Sequence, residues 1–201
     1  TLTLAGSTVT ATTGALTKTN SGTLNLTGVN TYTGATTISA GTLAITGSGS
    51  LNSGSYAGAI ANSGAFIYSS SATQTLSGII SGSGTLTKDT GSSSVLTLSN
   101  TNTYSGITTI SAGTIAISAD ANLGAASTLV ATQLTLSGGN LRTTGTFSLA
   151  TNRGITLSTG GGTINVNSGI TTIYGGTISG TTIFTKDGLG TFVLSGTKTD
   201  T

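Results

Sequence analysis

The chain has 201 residues, a formal net charge of +2 and no Cys, His, Pro, Met, Trp or Glu. The missing thiols and imidazoles exclude the usual zinc, haem and iron–sulfur ligand sets. Four Asp leave little material for carboxylate catalysis. Gly, Ser and Thr make up more than half of the chain, and the remaining apolar residues are mostly aliphatic and evenly spread. Disorder requires few apolar residues together with high net charge, which this chain does not show. Without a basic cluster, the excess of two positive charges does not indicate nucleic acid.

In chain order, the predicted elements are short strands. Leu2 and Leu4 open the series, followed by Leu16-Thr17-Lys18, Leu24/Leu26, Leu43/Ile45, Leu96/Leu98, Ile115/Ile117, Leu134/Leu136 and Phe192-Val193-Leu194. Aliphatics two apart mark a strand with one buried face. Gly, Asn or Ser-Gly follows most runs, at positions that accept turn geometry. No segment carries apolar residues at helical spacing over three turns. The only helical feature predicted is a turn around Ala119 to Ala126. No apolar run reaches the roughly 20 residues needed to span a bilayer as a helix.

The clearest signal is internal repetition. Thr31 to Ile45 reads TYTGATTISAGTLAI, and Thr103 to Ile117 reads TYSGITTISAGTIAI. Leu-Thr-Lys at 16–18 and 86–88 precedes each copy, and Phe184-Thr185-Lys186 begins a third. The expected units are 15–84, 85–182 and a truncated 183–201, within a single solenoid domain spanning 1–201. Asn-Gly hairpin signals are absent, which argues against an antiparallel sandwich. Repeated short strands argue for stacked parallel coils. The predicted fold is all-β, a right-handed parallel β-helix of about nine rungs with 20–25 residues per coil and essentially no helix. The rod should be on the order of 40 Å long.

The succession Leu-Thr-Lys, Gly-Thr-Leu-x-Leu-Thr-Gly, Asn-Thr-Tyr-Thr-Gly-x-Thr-Thr-Ile and Ala-Gly-Thr-Leu resembles the autotransporter-associated β-strand repeat of bacterial surface proteins. Leu76 to Gly84 and Asn152 to Leu157 are similar to segments that accompany it. The resemblance implies a parallel β-helix, secretion and a place at the cell surface. It carries over no catalytic residues. The third copy departs from the pattern, because Thr197-Lys198-Thr199-Asp200 stands where Val29-Asn30-Thr31-Tyr32 stands in the first.

The expected role is therefore a non-enzymatic structural or adhesive segment of a secreted surface protein, a stiff stalk or extracellular fibre without cofactors or metals. Its partners would be further copies of itself, the rest of a longer chain, or surface glycans. It would meet an outer membrane only through regions outside this sequence. Asn30, Tyr32, Gly34, Asn102, Tyr104 and Gly106 form the recurrent motif. Two roles are open for it: exposed tyrosines as sugar platforms, or a structural corner in which Asn caps turn groups. Lys88-Asp89 and Lys186-Asp187 read as solvated turn residues, and Asp120 as isolated. Strand-like ends at Leu2, Leu4, Phe192 and Leu194 suggest end-to-end assembly. An alternative is an ice- or glycan-binding solenoid with a flat Thr-rich face, built from pairs such as Thr1/Thr3, Thr8/Thr10, Thr31/Thr33 and Thr101/Thr103.

Overall fold

The computed structural model describes residues 2–4, 14–91, 93–126 and 130–199, with side-chain detail omitted at 2–4, 130 and 131. Every strand pairing described is parallel, so the chain forms a β-solenoid. Three faces recur in order around each coil.

Face one carries ten strands, from Leu2–Leu4 through Thr23–Leu26, Thr42–Gly47, Ala65–Ser70, Thr85–Lys88, Thr108–Ile110, Val130–Leu136, Arg153–Leu157 and Ile178–Ser179 to Lys198–Thr199. Face two runs from Val29–Asn30 and Ser50–Leu51 through Ser55–Tyr56, Gln74–Leu76, Val95–Leu98, Thr114–Ile117, Asn140–Thr143 and Gly162–Val166 to Phe184–Asp187. Face three is split. Leu16–Lys18, Thr36–Ile38, Ile60–Asn62 and Ile80–Ser81 form its lower part. Phe147–Leu149, Thr171–Tyr174 and Thr191–Leu194 form the upper part. Between these parts the predicted turn appears as a single 3-10 turn, Asp120–Leu123.

The alternation in the sequence becomes burial. Leu24, Leu26, Leu43, Ile45, Leu96, Leu98, Ile115, Ile117, Leu134 and Leu136 all lie in one core that runs the length of the stack. Facing pairs such as Leu24 with Leu43 and Leu43 with Phe66 continue that core from coil to coil. At roughly 25 cal/mol per Å2 of apolar surface, this thin aliphatic column is the main favourable term.

The repeat and the coil are out of step. From Leu16, on face three, three whole coils lead through Thr36, Ile60 and Ile80 before the chain reaches Leu86 on face one. From Leu86, four whole coils lead through Thr108, Leu134, Ile155 and Ile178 before Phe184 on face two. Each unit therefore starts one face further round than the last, and equivalent motifs never stack on one another. The second unit contains one coil more than the first.

Corners set the coil spacing. Gly22, Gly41, Gly64, Gly84 and Gly106 form a column between faces three and one, where a Cβ on any of the last four would lie under 3.0 Å from the carbonyl oxygen of the glycine one coil below. Gly14, Gly34, Gly58 and Gly78 form a second column at the corner between faces two and three. The motif glycines Gly34 and Gly106 thus occupy different corners, as the one-face rotation requires. Gly84→Ala should lower stability by about 1–3 kcal/mol in chemical denaturation, the usual cost of forcing atoms into a packed site. Gly175→Ala, whose Cβ would meet only side-chain atoms of Thr151 and Ser195 beyond 3.0 Å, should cost under about 1 kcal/mol. Equal losses would show that the columns do not set the spacing.

Candidate functional site

The recurrent motif builds a corner from inside. Lys18, Lys88 and Lys186 each donate from Nζ to the carbonyl two residues on, at Asn20 (2.7 Å), Thr90 (2.6 Å) and Gly188 (2.7 Å). Asn20, Thr90 and Gly188 all have left-handed backbone, with φ of 60°, 61° and 76°. That turn aims successive carbonyls at the ammonium. Lys18 also donates to Thr19 and Ala40, and Lys88 to Asp89. In the coil above, Gly41 and Gly113 have φ of 70° and 68° and leave no room for a Cβ beside the ammonium.

The expectation of a solvated turn lysine is therefore corrected at Lys88. Lys88 is fully buried and Lys18 nearly so, while Lys186, in the last coil on its face, is exposed. Lys88 faces inward because its strand places Leu86 and Lys88 on the core side, and inward carbonyls replace the water it loses. Its ammonium also lies 5.7 Å from the Tyr68 ring centre. Burial pushes the Lys88 amine down to about 8, and the Asp89 carboxylate partly opposes this.

Tyr32 and Tyr104 are buried, which removes them as exposed sugar platforms. Their hydroxyls meet Thr36 Oγ1 at 2.9 Å and Thr108 Oγ1 at 2.7 Å, four residues on in each copy. Thr36 also meets the Tyr56 hydroxyl at 2.7 Å, and Tyr56 donates to the Gly34 carbonyl. Burial pushes Tyr104 and Tyr174 up to about 12. Asn30 and Asn102 reach across coils. Asn30 donates to Ser50 O at 3.1 Å, and Asn102 donates to Asn122 O at 2.6 Å while accepting from Ile80 N at 2.8 Å. Gln74 does the same more completely, accepting from Leu51 N and donating to Leu51 O. Asn102 does this in a segment without strand pairing, whereas Asn30 and Gln74 add side-chain bonds at the ends of paired strands.

One cluster carries no signal in the local sequence. Arg153 is buried, and its Nε and Nη2 donate to the two carboxylate oxygens of Asp120 at 2.9 and 3.0 Å. Its remaining donors reach the carbonyls of Leu123 and Gly124. Asp120 also accepts from Ala150 N. Asp120 is therefore not isolated. The fork holds the 3-10 turn where face three lacks a strand. The partners are 33 residues apart in sequence.

Outside, the Thr pairs at 31/33 and 101/103 lie in non-strand segments, and Thr1/Thr3 and Thr8/Thr10 fall wholly or partly outside the described residues. The hydroxyls in register on face one are single residues per strand: Thr87, Thr109, Thr135, Thr156, Ser179 and Thr199. On face two the outward row changes character, with Thr97, Ala116, Arg142, Asn165 and Asp187 in register. Asn165 Nδ2 donates to Asp187 Oδ2 at 2.6 Å. The Gly188 amide and then Asn165 hold the Asp187 carboxyl below its usual range. Phe192 is half-buried on the core side of its strand and Leu194 exposed beside it. Leu2 and Leu4 pair with Leu24 and Leu26, but their side chains fall outside the described set. Among the described residues no group of three or more acidic or metal-ligating side chains could hold a metal.

The sequence that folds into this stack has counterparts among known proteins. The model for the passenger-associated-transport-repeat matches residues 16–45, 90–117 and 184–199. The chain is also 41% identical to the Adhesin BmaC autotransporter of Brucella suis biovar 1 (strain 1330), over 97% of this chain. The chain belongs to the autotransporter passenger repeat family. It spans 7% of the length of that relative. No solved structure matches. Two of the matched stretches begin at the strands that carry Lys18 and Lys186 and the third begins two residues after Lys88, so in this chain the repeat contributes to the lysine corners.

Between about pH 8 and 10.5 the folded chain binds fewer protons at Lys88 than the unfolded chain, whose lysines titrate near 10.5. Stability should therefore rise with pH from 8 to about 9.5, by about 1 kcal/mol after allowance for residual solvation. Above pH 10 the buried tyrosines reverse the trend, because unfolding lets them ionise. Lys88→Met should flatten the rise in urea denaturation at successive pH values. Parallel profiles for the two chains would overturn the assignment.

Proposed function

We propose that this chain is a non-enzymatic, adhesive β-helical segment of a secreted protein displayed at a bacterial cell surface. The passenger-repeat match, together with the likeness to an autotransporter adhesin, carries this reading. The geometry supports it. Titratable groups are few, and the buried ones are engaged in holding corners. The outward rows offer hydroxyls and amides for weak, repeated contacts. Because the repeat rotates by one face per unit, surface chemistry tied to the repeat is distributed around the rod. A partner can then engage it from several sides.

Beads coated with the purified chain should remain on cultured mammalian cells several-fold more often after washing than albumin-coated beads. Equal retention would sink the adhesive reading. A separate reading, end-to-end association of copies, draws on the strand-like Phe192 and Leu194 and the parallel edge they share. Leu194→Lys should shorten any filaments seen by negative-stain microscopy, and unchanged filament lengths would dismiss it.

A further inference from the structure

Face two holds a polar ladder that the repeat explains only at Asp187. Most cations of the described chain point into the stack or stand on its last coil. Lys18, Lys88 and Arg153 are buried, and Lys186 and Lys198 belong to the final strands of their faces. Arg142 alone among the described cations stands on an outward row with a coil on either side. It pairs in register with Ala116 below and Asn165 above, and Asp187 follows on the next rung. Asn140 lies two residues earlier on the same strand and the same side, in register with Thr114 and Thr163. Arg142, Asn140 and Asn165 fall in residues 118–183, between the stretches that match the repeat model. Their presence is therefore not a by-product of the repeat.

The guanidinium of Arg142 makes no hydrogen bond or ion pair with any described residue, and its Nε is removed from solvent without a partner. Because Nε is closed off from solvent, a ligand would meet the remaining, terminal amino groups of this half-buried guanidinium, whose planar fork is suited to a carboxylate. One rung above, Asn165 offers amide chemistry, and one rung further Asp187 is already oriented by Asn165. Rungs lie about 4.8 Å apart, so Arg142 and Asp187 are separated by about 10 Å, close to the span of two sugar rings. The order along the rod is thus cation, amide, carboxylate.

We propose that this ladder is a glycan-binding site for a chain ending in a single carboxylate-bearing sugar followed by neutral sugars. Arg142 takes the sugar carboxylate, and Asn165 and Asp187 take ring hydroxyls further along. Asp187 rejects polymers that carry a second carboxylate at that distance, because two like charges would face each other. The assignment rests on the adhesive reading above and names where and what the segment grips.

The test uses the full chain in biolayer interferometry, with polymer-linked 3′-sialyllactose as probe and polymer-linked lactose and polygalacturonate as comparators. The wild-type chain should bind the sialyllactose polymer at least tenfold more tightly than either comparator. Arg142→Gln should lose at least tenfold while keeping its melting temperature. Lys186→Gln, a cation removed from another row, should stay within twofold. Asp187→Asn should gain at least tenfold for polygalacturonate, a result that a misfolded variant could not give. Equal binding to lactose, an unaffected Arg142→Gln variant, or an equal loss in Lys186→Gln would overturn the site. Coated beads that still hold to cells while the chain ignores sialyllactose would dismiss this ladder and leave the adhesive reading standing. Beads that fail to hold would remove both.

Discussion

The structure depends on a parallel ladder whose hydrogen bonds run along the rod. Each coil supplies the partners for the backbone groups of the coil beneath it, so the distance between coils cannot vary from place to place. A backbone group buried without a partner costs more than most single contacts return. Wherever the coil bends or a strand is missing, something else must satisfy the ladder at the same spacing. That constraint accounts for the buried amides of Asn30, Gln74 and Asn102, each of which bonds to backbone one coil away. It also accounts for the glycine columns, since a Cβ at those corners would hold neighbouring coils apart.

The buried charges follow from the same constraint. A lysine in an aliphatic core is expensive unless its donors are filled. Here a left-handed residue at 20 or 90 turns carbonyls inward, and the ammonium ties them together. The ammonium is the donor those carbonyls share, so removing the lysine would leave them without it. Arg153 solves a similar problem at the break in face three. Its fork engages the Asp120 carboxylate and the carbonyls that end the 3-10 turn, which lack strand partners. Replacing the buried ion pair with apolar residues could be neutral in energy, but removing one partner would leave an uncompensated charge.

These dependencies separate what the sequence shows from what it hides. Period-two aliphatics fix an inward face, so Leu24/Leu26 and Leu134/Leu136 were legible as core. A turn near 119–126 was legible from its broken alternation. Lys88 was not, because Lys-Asp before a glycine turn reads as a solvated loop until the register shows that Leu86 and Lys88 share a side. The Arg153–Asp120 pair was hidden by its separation of 33 residues. The rotation of the repeat was hidden too. A unit of about 70 residues could contain three coils or three and a third, and only the strand pairings distinguish them. On the outside, propensity made every Thr a candidate and gave no reason to single out Arg142.

A rotated repeat divides labour along the chain. Segments that build corners are constrained by carbonyls, glycines and lysines on the inside, and they recur with little change. Their outward residues are free of that constraint, yet each copy faces a different direction, so repetition alone cannot accumulate a continuous binding surface on one face. A continuous patch has to be written into a stretch that departs from the repeat and stays on one face over successive coils. The extra coil of the second unit lies in such a departure, between the matched stretches that end at 117 and resume at 184. Asp120 and Arg153 hold its irregular corner closed, and Asn140, Arg142 and Asn165 occupy its outer surface. The inner pair keeps neighbouring coils at ladder spacing, and that spacing keeps the outer side chains in register. In this architecture recognition is built where the repeat is broken, and its precision depends on how well the break is repaired from within.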